Sequence, residues 1–391
     1  MKPLKKVVII GASFAGLKAL SMLSEYDYRF EVMVIDKKNY STLTPKILDF
    51  IFKDTSKEDI LINTPPILRE LNSAWENDEV VKIDKDKNVV FLSSGKEINY
   101  DYLIIASGAQ AQMPDIKGAE YAYCFNNFKS AEKLKEIIKK EDFKNVAIAT
   151  MPTNYLNNQN EPSLFTFCEE EAVEFAFYIK HYKKDCNVTL ISPNGTIIPS
   201  ISAVSAKEIE KDLKNSGIEI LALSEIESIE EDNLIFLKND MILNSDLTVI
   251  VAPLKPAEFI KKSNLGDIFN WVHTNEYMQV NSNIFAIGDI NYNSFKTIYN
   301  AFNQAQVAVH KILESENIKT NVQKYNQDYL RILQTPNDAY FIYDSINKDI
   351  IKKSVIYKEI QVVFDKLLYK FPKLSLELEE KLERSIKRFF I

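Results

Sequence analysis

Cys168 is followed six residues later by Glu174, at the start of a stretch with helical spacing. A thiol at a helix amino terminus is shifted toward the nucleophilic thiolate. The neighbouring Glu169, Glu170 and Glu171 oppose that shift. A second thiol, Cys124, stands in an Ala-Tyr-Cys-Phe run, and Lys296 precedes Thr297 and a further helical stretch. Near the amino terminus, Gly11-Ala12-Ser13-Phe14-Ala15-Gly16 separates the apolar run Val7-Val8-Ile9-Ile10 from Leu17, Leu20 and Leu23 at helical spacing. Strand, glycine turn and helix in that order present N–H groups and a positive dipole end to a pyrophosphate. Gly11 supplies the tight turn, and Gly16 the close helix–strand approach. Ser13 and Ala15 complete the turn. Ser13 replaces the middle glycine of the usual pattern, which hinders the approach of phosphate without blocking it. Asp36 closes a second strand, Phe30 to Ile35, about 20 residues after the last glycine, where ribose hydroxyls would be held.

These residues need an α/β scaffold to position them. Consecutive β-formers such as Val7 to Ile10 suit a parallel strand buried on both faces. Tyr102 to Ile105 is another such strand and runs into Ser107-Gly108, and Asn283 to Ile287 runs into Gly288-Asp289. Val146 to Ala149, Val188 to Ile191 and Leu247 to Val251 make a second set. The expected fold is two Rossmann-like, three-layer dinucleotide-binding domains plus a carboxy-terminal helical segment. The first domain takes residues 1–115 and 270–330, the second 116–269, and the carboxy-terminal region 331–391. The second domain has lost its nucleotide turn. Its first strand leads into Thr150-Met151-Pro152-Thr153, and no glycine occurs between Gly118 and Gly195. NADH is therefore not the expected reductant.

The three glycine-containing turns in this order resemble the pyridine nucleotide–disulfide oxidoreductase superfamily. Within it, Cys168 with Glu174 resembles the sulfide:quinone oxidoreductases and the flavoprotein subunit of flavocytochrome c sulfide dehydrogenase. The resemblance implies FAD held by Gly11, Ser13, Ala15, Gly16, Asp36, Ser107, Gly108, Gly288 and Asp289, with Asp289 on the ribityl chain. Pro45, in Tyr40 to Pro45, matches a loop that lies along the flavin. Lys296-Thr297 with Ala301, Gln304 and Ala305 matches a run in which the lysine sits near the flavin pyrimidine and favours added negative charge there. By the same resemblance Cys168, Glu174, Cys124 and Lys296 are the catalytic candidates, Cys124 as a thiol beside or bonded to the flavin. The resemblance fails at the second redox cysteine: no cysteine follows Cys186, and Thr335 to Tyr340 offers only polar and aromatic groups. His181, His273 and His310 do not fall at the family positions. A dithiol relay between two cysteines is thus not available in its usual form.

The expected function is electron transfer from a sulfide or other sulfur donor through FAD to a quinone. The alternatives are a type II NADH:quinone oxidoreductase or a flavin-binding electron-transfer subunit without sulfide turnover. Tyr357, Ile360, Val363, Phe364, Leu367, Leu368 and Phe371 fall on one helical face, and a second amphipathic stretch follows Pro372. Residues 354–391 are thus expected to meet either a membrane surface or another protein surface, such as a second copy in a homodimer. Lys and Arg number 48 against 55 Asp and Glu, for a net charge of −7, which argues against nucleic acid as a partner. Three cysteines make no disulfide framework, and a reducing compartment is expected. No metal site, signal peptide or spanning helix is expected. The location is read as cytoplasmic, or peripheral on the inner face of the cell membrane.

Overall fold

The run Val7 to Ile10 is buried and belongs to the central strand, Lys5–Ile10, of a five-stranded sheet. The computed structural model describes residues 3–152, 169–292, 295–345 and 348–360. The sheet runs Ile284–Ala286, Tyr102–Ile105, Lys5–Ile10, Phe30–Ile35, Ala74–Glu76, and every neighbouring pair is parallel. A parallel sheet needs cover on both faces. Alternation along the central strand supplies it. Val7 and Ile9 face the helices Phe14–Leu23 and Ile298–Ser315, whose Phe14 and Phe302 rings meet at 6.4 Å. Val8 and Ile10 face the antiparallel strands Val80–Asp84, Val89–Leu92 and Glu97–Asn99.

A second parallel sheet repeats the plan with the order Ile218–Leu221, Asn187–Ile191, Asn145–Thr150, Leu247–Val251. Val146 and Ile148 pack on the helix Glu169–Tyr182, and Ala147 and Ala149 on the paired strands Ile226–Ile229 and Leu234–Leu237. Two Rossmann-like layered units are therefore present, as the strand pattern requires. Cys168 and most of the glycine-free insertion lie outside the described residues.

The carboxy-terminal region, expected to carry amphipathic helices, begins as a sheet. Strands Tyr329–Gln334, Ala339–Ser345 and Lys348–Ser354 pair antiparallel, and helix starts only at residue 355. Tyr340 to Tyr343 explains the difference, because aromatic and β-branched residues fit a pleated surface. Tyr340 and Ile342 enter the core shared with the helix Glu169–Tyr182, while Ala339, Phe341 and Tyr343 pack with Tyr357 on the other face. The amphipathic stretch beyond residue 360 lies outside the described residues. No helix among the described residues is long and apolar enough to cross a membrane.

Candidate functional site

Two glycines build the first turn by different means. Gly11 has φ +108°, and a Cβ there would stand 2.3 Å from the Ala106 carbonyl oxygen. A Cβ on Gly16 would stand 1.9 Å from the carbonyl oxygen of Gly11, so the helix meets the strand backbone directly. Asp36 braces this turn from the neighbouring strand, its carboxylate accepting the Ala12 N–H at 2.8 Å and the Lys38 N–H at 2.9 Å. Ser13 is the N-cap, with extended backbone and no side-chain cap hydrogen bond. Its Oγ lies 2.9 Å from Ser41 Oγ instead. The first helical N–H groups are left without a side-chain cap, as an anion-binding helix terminus requires.

A cavity of about 730 Å³ opens beside this turn and draws its wall from both parallel-sheet units and the carboxy-terminal sheet. Ser13, Ala15, Pro45, Gly108, Glu174, Gly288, Asp289 and Lys296 line it, with Tyr40, Thr42 and Thr44 from the loop before Pro45. Gly11, Gly16, Asp36, Ser107 and Gln304 stand behind the wall and shape it. Gln304 Oε1 accepts the Gly288 N–H at 2.7 Å and so fixes the turn that presents Asp289. Cys124 is half-buried and not on the wall, although Phe125 and Asn126, next in the chain, are. Cys186 is buried.

Asp289 and Lys296 form the charged part of one wall. Burial pushes the Lys296 ammonium down to about 8, and Asp289 opposes the shift. Burial pushes the Asp289 carboxyl up, against the pull of Lys296 and Arg331. Lys296 Nζ donates to the Asn291 carbonyl and lies 4.5 Å from the Trp271 ring centroid.

Facing them is a group that motif reading missed. Arg331 projects from the strand Tyr329–Gln334, its Nη2 donating to Glu171 Oε1 at 3.0 Å and standing 3.7 Å from Glu174 Oε2. The Gln334 N–H donates to Glu174 Oε1 at 2.7 Å, and the Gln334 side chain donates to the Pro45 carbonyl at 3.1 Å. Glu174 and Arg331 side chains keep only 12% and 17% of their surface, and both line the cavity. Burial pushes Glu174 up to about 7, Arg331 pulling against it and Glu171 adding to it. The one available signal in the sequence was an arginine between Leu330 and Ile332 in a β-type run.

The elevated Glu174 carboxyl has a stability consequence. Below its unfolded value it is protonated in both states and costs nothing. As pH rises from about 4.5 to about 7, the unfolded chain ionises first and stability is lost. The shift corresponds to on the order of 3 kcal/mol at higher pH. Glu174→Gln is expected to remove this slope, seen as denaturation midpoints at pH 5 and pH 8 drawing together in the variant.

Comparison with known proteins follows the same outline. A family model described as pyridine nucleotide-disulphide oxidoreductase matches residues 5–149 and 171–305. The NADH oxidase of Methanocaldococcus jannaschii is 24% identical over 306 residues, which are 73% of this chain and 62% of that protein. The chain thus spans less than two thirds of that relative. The mitochondrial sulfide:quinone oxidoreductase of Dictyostelium discoideum is 25% identical over 339 residues, 80% of this chain and 71% of that protein. The crystal structure of the sulfide:quinone oxidoreductase from Aquifex aeolicus shares the fold, with TM-score 0.84, 19% identity, and coverage of 99% of this chain and 95% of that one.

Proposed function

The chain belongs to the pyridine nucleotide-disulphide oxidoreductase family, and from that premise we propose that it is an FAD-dependent oxidoreductase moving electrons from a sulfide or other sulfur donor to a quinone. The residues present fit FAD. Gly11 and Gly16 have no room for a Cβ, a helix terminus without a side-chain cap adjoins them, and a carboxyl and an ammonium stand on the cavity wall. Bound flavin would supply the exchange of electron pairs. Asp289 would orient its ribityl chain, and Lys296 would place positive charge beside its pyrimidine edge. Glu174 would accept the proton given up by an S–H donor. Cys168 would supply the reactive thiol, and Cys124 a second thiol on the flavin side.

The observation that carries this reading is the joint wall: Asp289 and Lys296 from the first unit share one cavity with Glu174 and Arg331. The first turn of the second unit, where NADH would be cradled, begins Thr150-Met151-Pro152 without glycine. Similarity to an NADH oxidase favours the second reading, NADH as donor. The segment 354–391 is proposed to hold the protein at a membrane surface, where quinones dissolve. The test is steady-state reduction of a short-chain quinone with sulfide, glutathione or NADH supplied in turn. Reduction dependent on sulfide or the thiol is expected. Reduction with NADH and with no sulfur donor would replace this reading by the second.

A further inference from the structure

Where the helix Glu169–Tyr182 begins, beside the cavity, carboxyl groups outnumber cations. Glu170, Glu171 and Glu174 cluster on the first turns of the helix Glu169–Tyr182, and Arg331 is the guanidinium among them. Glu170 Oε1 accepts the Tyr329 hydroxyl at 2.5 Å and the Ser200 hydroxyl at 3.2 Å. Arg331 Nη2 is closest to Glu171, and Glu174 takes the Gln334 amide. Arg331 Nε and Glu171 Oε2 are buried without hydrogen-bond partners among the described residues, so within these the cluster is not a closed ion pair. Period-two alternation puts Arg331 on the face that carries Tyr329 and Leu333 into the core. Ionised carboxylates in excess of their cations are costly to enclose, so such a cluster retains a proton.

We infer that Arg331 is a positioning residue that fixes which of two glutamates carries the proton: Glu171 stays the carboxylate bound to the guanidinium, and Glu174 exchanges its proton with the cavity. This rests on the proposed function only for the identity of the proton's source, an S–H donor. The charged and titratable groups facing Glu174 are Glu170 and Glu171 on its own helix and Arg331 on the adjoining strand. Tyr178, hydrogen-bonded to Asp49 at 2.9 Å, lies on the same helix farther along. Asp289 and Lys296 stand across the cavity, and Arg331 acts on Asp289 too. Arg331 pulls Glu174 down while Glu171 pushes it up. Burial pushes the Glu171 carboxyl up too, and Arg331 opposes it there from the shorter distance, 3.0 Å against 3.7 Å to Glu174.

The test is a pH titration of the holoprotein by infrared difference spectroscopy, following the protonated-carboxyl band that Glu174→Gln abolishes. In parallel, the pH dependence of anaerobic flavin bleaching by a thiol is measured. Arg331→Gln is expected to raise the Glu174 midpoint by about one pH unit or more, since an opposite charge at this range moves a carboxyl by one to three units. Arg331→Lys should restore most of the shift, and Glu171→Gln should move the midpoint down. Should Arg331→Gln not fold, the last two variants decide. An unmoved midpoint in all folded variants, or a fall in bleaching rate without displacement along the pH axis, would overturn the inference and leave Arg331 as a brace. The infrared titration needs no donor. If it shifts as stated while no sulfur compound bleaches the flavin, the donor assignment has failed and the role of Arg331 stands.

Discussion

Gly16→Val is expected to yield protein that purifies largely without flavin. The space a side chain needs at this position is filled by the Gly11 carbonyl, 1.9 Å from the ideal Cβ. That carbonyl cannot retreat. The Gly11 N–H is bonded to the Ile35 carbonyl at 2.8 Å, and Gly11 itself is pressed against Ala106. The helix Phe14–Leu23 must move away from the central strand instead. Its amino terminus then leaves the position from which its N–H groups meet a pyrophosphate, and its packing on the helix Ile298–Ser315 loosens. Overpacking of this kind costs about 1–3 kcal/mol or more, which is roughly fivefold to somewhat over a hundredfold in affinity. The ratio of flavin to protein absorbance measures it. Gly195→Ala is the control, since a Cβ there meets only Leu223 Cδ2 at 3.9 Å, and it should purify as yellow as the parent.

Lys296→Met is expected to slow flavin reduction about a hundredfold, the usual loss when one preorganised charge or donor is withdrawn from developing negative charge. The methionine keeps an apolar stem but not the ammonium that lies over Trp271. Asp289 then loses a cation that holds its carboxyl down, and burial drives it further toward the neutral acid. Lys296→Arg keeps a positive charge and should retain most of the rate. In the parent the rate should decline as pH rises through about 8, where the ammonium loses its proton. That decline should vanish in Lys296→Met and move to higher pH in Lys296→Arg. Stopped-flow bleaching across pH 6 to 10 would show both effects, and a parent rate flat through pH 8 would contradict the role given to Lys296.

What could be read from the residues alone is what only one residue type can do. Gly11 and Gly16 sit where any Cβ collides, Asp36 ends a strand facing the turn, and Gly288-Asp289 follows a buried strand. These positions were legible because their demands are local. Gln304 was legible as part of the site but not in its role, since its hydrogen bond to Gly288 is a tertiary contact. Arg331 was hidden for a related reason. Its partners lie about 160 positions earlier in the chain, and no short spacing connects them. The sheet from Tyr329 to Ser354 was hidden because its central strand, Ala339–Ser345, is buried on both faces over Ala339 to Tyr343, which erases the polar alternation that marks a half-exposed strand. Cys124 precedes two wall residues, Phe125 and Asn126, without lining the cavity itself, a distinction that sequence distance does not encode.

The central claim is that this chain carries flavin and accepts electrons from sulfur and not from NADH. Mixing the purified protein anaerobically with sulfide, a thiol or NADH, one at a time, and following the oxidised-flavin absorbance tests it most directly. The account predicts rapid bleaching by sulfide or the thiol, colour returning on addition of quinone, and no more than slow bleaching by NADH. Rapid bleaching by NADH with none by any sulfur donor would contradict it.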